Sequence, residues 1–286
     1  MIIHKGVALG NDYLVIDEVE LPWPLTPPRC AAICDRHTGI GSDGILVANL
    51  ERGFALRILN PDGSEAEKSG NGLRIFAAWL HGRNLVRGDW FTVRLVRDNV
   101  RMRVEGERQD GVLDVRAEMG RATFNGADVG FNDAHEVIGR LLELPAGGSA
   151  EITTVSMANP HCVVFTERLD RDDFLLRAPQ LCTHASFERG TNVQFARVLG
   201  PAALEVWIWE RGVGETLASG SSACAVAAAA VRRGFIQPGH VEVRMQGGIA
   251  EIEINDSFGV RLRGPARMVF AAEVQAGQLE EWSSLG

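Results

Sequence analysis

The sequence predicts an α+β protein of two pseudo-symmetric domains, each a barrel-like, mostly antiparallel sheet around a buried central helix, with a cleft between them. Three observations carry this expectation. Strand-like segments outnumber helical ones along all 286 residues. Two helical segments, GLRIFAAWL (72–80) and ACAVAAAAV (223–231), have almost no polar face, so each calls for protein on every side. Finally, the two segments sit in a repeated unit: LRILNPDGSEAEKSGNGLRIFAAWLHGR aligns without a gap on VWIWERGVGETLASGSSACAVAAAAVRR, so that Ser69 falls on Ser219 150 residues later.

Taken in order, a first strand series covers 13–17, 44–50, 55–60, 91–96, 100–106 and 112–119. These segments alternate or run apolar between Gly, Asp and Asn turns. A second series covers 151–157, 161–167, 192–199, 203–210, 240–245, 249–254, 259–264 and 267–274. Helices are expected at Leu73–Leu80 and Ala223–Arg233, with shorter ones near Pro27–Asp35, Ala134–Leu144 and Leu169–Leu176. The Gly- and Asp-rich stretch 120–133 separates the series, and the final strand is expected to cross back. The domains are therefore drawn at 1–120 plus 264–286, and at 121–263. In the repeat Asn60 lies opposite Glu210, Gly70 opposite Gly220 and Asn71 opposite Ser221; Asn11 lies opposite Asn159 at a spacing of 148.

Composition narrows the function. The net charge is −8, with no basic stripe, which argues against nucleic acid or an acidic membrane surface as partner. No run approaches a membrane span, and MIIHKGVALGNDYLVID has no signal-peptide pattern. Five cysteines without a CxxC pair indicate neither a disulfide framework nor a zinc site, and a reducing cytoplasm is expected. Only Lys5 and Lys68 could form the Schiff base that pyridoxal phosphate chemistry needs, so few candidates for that cofactor exist. A small molecule is the expected partner. A homodimer is a further expectation, with Trp282 as either a dimer contact or a residue packed on its own domain.

A Ser-Gly-Asn-Gly turn opening a helix offers backbone N–H groups and a positive dipole end, which suits an anion, although serine is also a plain N-cap. The loops lack GxxxxGK[ST], and Ser219 is not in GxSxG. Two such loops facing one cleft could hold a carboxylate and move a proton on and off the two faces of one carbon.

The stretches LGNDYLVID, CDRHTGIGSDGILV, RILNPDGSEAEKSGNGLRIFA, ANPHCVVF, ERGTNVQFA and WERGVGETLASGSSACA make the chain resemble, over nearly its whole length, the diaminopimelate epimerase family of cofactor-independent amino-acid racemases and epimerases. The resemblance implies α-carbon inversion of an amino acid, in the setting of lysine or cell-wall precursor biosynthesis. It implies substrate contacts from Asn11, Asn60, Asn159, Asn192 and Arg211, and carboxylate binding by Gly70, Asn71, Gly220 and Ser221. Catalytic roles would fall to positions 69 and 219, with His161 and Glu210 beside the reacting centre. Gly44 offers little to read the distal end of a long substrate.

The departure is at the two catalytic positions, which are cysteines in the family and Ser69 and Ser219 here. A thiol has a pKa near ~8.5, whereas a serine hydroxyl is several units less acidic, each unit costing about 1.4 kcal/mol. Helix dipoles, at up to roughly 2 kcal/mol each, do not close that gap. Three explanations stand: engineered serines; native serines with chemistry moved to His161, Glu210, Glu67 or Lys68; or amino-acid binding without catalysis. The coherence of EAEKSGNG favours native serines. Another proton-transfer reaction, such as dehydration or double-bond migration, is the enzymatic alternative.

Overall fold

A computed structural model describes all 286 residues. The chain divides into two compact units, Met1–Ala117 with Gly264–Gly286, and Glu118–Arg263.

In the first unit β1 (Ile2–Ala8) and β2 (Asn11–Asp17) form a hairpin through Leu9 and Gly10, at φ 48° and 87°. Positive φ at both turn positions matches the twist of paired strands. For Leu9 that conformation costs about 1–2 kcal/mol. Helix α1 (Pro27–Cys34), with prolines in a first turn where a missing N–H is harmless, leads to β3 (Ile45–Asn49), parallel to β2. Antiparallel β4 (Ala55–Leu59) follows, and then α2 (Gly70–Gly82). Strand β5 (Phe91–Arg94) lies parallel to β4 and begins a meander with β6 (Asn99–Glu107) and β7 (Leu113–Arg121). The chain's long last strand, Gly259–Glu273, pairs with both β7 and β1, closing an eight-stranded ring.

Helix α2 is buried without a break from Gly70 to Leu80. Burying Leu73, Ile75, Phe76 and Leu80 is worth roughly 1.5–3 kcal/mol each, which outweighs the weak helix propensity of two glycines and an asparagine in the first turn. Gly6 in β1 permits the contact: a Cβ there would stand 2.5 Å from Ile75 Cγ2.

The second unit repeats this order. After β8 (Arg140–Glu143), β9 (Ser149–Ser156) and β10 (Pro160–Phe165) form a hairpin whose turn holds Ala158 at φ 69°. Helix α3 (Arg171–Cys182), capped by the Asp170 carboxylate on the N–H groups of Asp172 and Asp173, leads to β11 (Asn192–Gly200), parallel to β10. Antiparallel β12 (Ala203–Glu210), with short β13 (Gly214–Thr216) beside it, leads to α4 (Gly220–Arg232). Strand β14 (Gly239–Met245) is parallel to β12 and continues antiparallel into β15 (Gly248–Ile254) and β16, the Gly259–Glu273 strand. Ala122 and Thr123 close this sheet: the Ala122 N–H donates to Phe258 O at 2.9 Å, and Thr123 exchanges backbone bonds with Ser156. Like α2, helix α4 is buried along almost its whole length.

Two expectations are corrected. Ala134–Leu144 is not a helix: Gly139 stands at φ 62°, and Arg140–Glu143 pairs antiparallel with β9. The two strands expected at 259–264 and 267–274 are one, because Gly264-Pro265 falls between the β15 ladder, ending at Arg263, and the β1 ladder, starting at Arg267. Of the two alternatives for it, Trp282 takes packing on its own unit. It lies on the terminal helix α5 (Ala276–Ser283) and is only 2% exposed, in a core with Cys30, Ile33 and Ile45. Strand β1 and helix α5 went unforeseen, since IIHKGVA and AGQLEEWS are weak in both periods.

Candidate active site

Helices α2 and α4 are both 13 residues long and begin 150 residues apart. Their N-caps, Ser69 (φ −134°, ψ 117°) and Ser219 (φ −144°, ψ 125°), share one extended conformation. Their hydroxyls are used differently. Ser69 Oγ accepts the Gly72 N–H at 3.0 Å, whereas Ser219 makes no side-chain cap and lies 3.4 Å from Ser221 Oγ.

In the first unit, alternation along β2 puts Asn11 and Tyr13 on one face and Asp12 on the other. Asn11 Oδ1 accepts a short hydrogen bond from Asn71 Nδ2, and Tyr13 Oη lies 3.4 Å from Ser69 Oγ. Asn71 Oδ1 in turn accepts from the fully buried Arg74 at 2.5 Å. Asn11 Nδ2 donates to Asp43 at 3.0 Å, anchoring the network in the Asp12–Arg36–Asp43 cluster. Burial works against the Asp12 carboxylate, but Arg36 and Lys5 hold its pKa down at about 2. Asn60 closes its own turn, Nδ2 donating to Ser64 Oγ at 2.9 Å. Glu67 and Lys68 form surface pairs with Arg97 and Asp98.

In the second unit one polar chain links five residues. Gln194 Nε2 lies 3.1 Å from His161 Nδ1 and 3.0 Å from Ser222 Oγ. His161 Nε2 lies 3.0 Å from Asn159 Oδ1, and Asn159 Nδ2 donates to Ser221 Oγ at 3.4 Å. With the Gln194 amide donating, His161 carries its proton on Nε2 and gives it to Asn159. Burial, the largest cause, drives the His161 pKa down to about 3, with Arg211 adding to the fall, so the imidazole is neutral with both nitrogens engaged. Asn192 is also fully employed: Nδ2 donates to Pro160 O and Oδ1 accepts the Arg211 N–H, both at 3.0 Å. Arg211 reaches Arg189 O, and Glu210 pairs with Gly214 at the β12–β13 turn.

Asn11 and Asn159 each follow a turn residue in strained left-handed backbone, Leu9 and Ala158. Such strain persists where the surroundings over-determine it, as at ligand-holding turns. All five cysteines are buried. Burial lifts Cys30 to about 11 and raises Cys34, Cys162 and Cys182 as well, so these thiols stay protonated. Two surface depressions, one bordered by Asn49, Arg57 and Arg94 and one by Glu167, Arg197 and Phe235, include none of the candidate residues.

Three residues escaped the sequence reading: Tyr13, Arg74 and Gln194. Each sits at same-face spacing from a residue that was singled out, two along a strand from Asn11 or Asn192, or three along a helix from Asn71. That spacing was the available signal.

A strand-and-helix unit is thus used twice, each copy heading its buried helix with a serine hydroxyl. The family model described as diaminopimelate epimerase matches residues 3–125 and 153–269. "Diaminopimelate epimerase 2" of Nostoc sp. is 41% identical over 266 residues, covering 92% of this chain and 91% of that one. The diaminopimelate epimerase of Pelotomaculum thermopropionicum is 37% identical, covering 94% and 97%. Among solved structures, a predicted epimerase from Pseudomonas aeruginosa aligns with a TM-score of 0.66 at 18% identity, covering 96% of this chain and 99% of that one. A probable proline racemase from Agrobacterium radiobacter aligns with a TM-score of 0.69 at 13% identity, covering 96% and 93%. The chain belongs to the diaminopimelate epimerase family.

Proposed function

We propose that this protein is a cofactor-independent isomerase that inverts the α-carbon of an amino acid, with Ser69 and Ser219 each serving one face of a single substrate. The observation that carries this reading is the duplicated helix start: equal length, equal cap conformation and a serine at the same position of both copies. The first-turn N–H groups around Gly70-Asn71 and Gly220-Ser221 lack intrahelical partners and favour an α-carboxylate. Diaminopimelate is the first substrate to test, because the relatives carry that name. Arg211 and Glu210 would meet the amino end of the substrate.

His161 acts in this scheme as a positioning residue, since a fully engaged neutral imidazole has no lone pair to offer a substrate proton. It fixes Asn159, and through it Ser221, at the α4 start. Asn192 does the same for Pro160 and Arg211. We place the protein in the cytoplasm, where five buried cysteines outside any disulfide persist as thiols.

The test is incubation in deuterium oxide with diaminopimelate and a panel of L-amino acids, followed by proton NMR and chiral chromatography. Loss of the α-proton signal with appearance of the opposite configuration is expected for at least one of them. Tight binding with no exchange would replace this reading by a binding protein. Exchange coupled to loss of water or a shifted double bond would move it to another proton-transfer reaction.

A further inference from the structure

Tyr13 is the only tyrosine in the chain, it is 9% exposed, and its hydroxyl lies 3.4 Å from Ser69 Oγ. The placement is built rather than incidental. Tyr13 follows Asn11 by two positions in β2, so the two residues address Ser69 and Asn71 at the same helix start. The ring edge occupies space that only a glycine leaves open, since a Cβ on Gly44 would stand 2.8 Å from Tyr13 Cε1 and 2.5 Å from Leu59 O. The charged side chains that flank the pair in sequence are engaged elsewhere, Asp12 with Lys5 and Arg36, and Lys68 with Asp98.

Resting on the isomerase reading, we infer that Tyr13 is the proton-relay partner of Ser69 and supplies the acidity the serine lacks. A phenol titrates near ~10, only about 1.5 units above a thiol, whereas a serine hydroxyl lies far beyond both. In the protonating direction the Ser69 O–H bond breaks as a C–H bond forms at the substrate α-carbon. Ser69 Oγ takes the phenolic proton, leaving tyrosinate. In reverse, the α C–H bond breaks with its electron pair staying on carbon, the proton passes to Ser69 Oγ, and the serine's own proton returns to tyrosinate. The Gly72 N–H on Ser69 Oγ steadies negative charge there during the transfer. The 3.4 Å separation is long for a formed bond, and such contacts commonly tighten when substrate closes the site.

A single tyrosine makes the test direct. Tyrosinate absorption in the ultraviolet reports Tyr13 alone, and the Ser69→Ala variant removes the hydroxyl that donates to the phenolate. The ionisation midpoint is expected to rise by about one pH unit in that variant. The Tyr13→Phe variant, which keeps the ring, is expected to lower kcat for α-proton exchange by about 100-fold or more, with KM within about threefold and an unchanged melting temperature. A midpoint unmoved by Ser69→Ala, or a Tyr13→Phe enzyme within twofold of the unmodified kcat, overturns the relay. Absence of exchange in the unmodified protein sinks the isomerase reading and the relay chemistry together, whereas exchange with an immobile midpoint removes the relay alone.

Discussion

Replacing Ser219 by alanine is expected to lower the rate of α-carbon inversion by about 10²–10⁴-fold while leaving thermal stability almost unchanged. The two halves of that statement have separate causes. Stability is spared because the Ser219 hydroxyl makes no cap bond, and α4 is held by the burial of Ala223 to Ala230 rather than by its first turn. Ser69→Ala is different: it strips the Gly72 N–H of its acceptor, which costs about 1 kcal/mol. The loss of rate follows from chemistry. Under the proposed function, alanine leaves one face of the substrate without a proton carrier, and an inversion needs both. Parallel chiral and melting measurements on the purified variant check it. A Ser219→Ala protein inverting at the unmodified rate would show that the hydroxyl is only a relic of the cap.

Acid is expected to destabilise the second unit well above the range where carboxylates titrate. His161 is neutral in the folded protein down to about pH 3 because burial excludes its charge. The unfolded chain takes up that proton near ~6.5, so the unfolded state binds more protons throughout the interval. Stability is full above ~6.5 and falls by about 1.4 kcal/mol for each pH unit down towards 3, roughly 2 kcal/mol by pH 5. Asp12, held down at about 2, loses its contribution only below its ordinary value of 3.8, outside the pH 4.5–7.5 range compared below. Burial also lowers His4, the first of its causes, but that group is common to any His161 variant. His161→Gln keeps a side chain able to meet Gln194 and Asn159 without a titrating ring. Denaturant unfolding of both proteins from pH 7.5 to 4.5 should give a clearly flatter slope for the variant. Parallel slopes would mean that protonation of His161 is tolerated in the fold.

The repeat was legible because its parts are coarse: a run of apolar residues with no polar face, and a serine at one fixed spacing. Ser69 and Ser219 could be found from that alone. The architecture followed, since a helix buried on all sides requires a sheet that closes around it. The hydrogen-bond networks were not legible. Which way Asn192 turns depends on Pro160 and on Arg211, which lies 19 residues away, and no local pattern encodes that. Ala134–Leu144 misled for a related reason. Its apolar spacing fits a helix, and only the left-handed backbone at Gly139 and the pairing with β9 decide otherwise. Asn-Pro-His drew attention to His161, but its depth of burial belongs to the tertiary structure.

Titration calorimetry with an amino acid found to exchange its α-proton tests the core of the account. Asn71→Ala alters one unit and Ser221→Ala the equivalent place in the other. The account predicts one binding event per chain, weakened about tenfold by either change alone. Two independent events, or one substitution leaving affinity untouched, would contradict it.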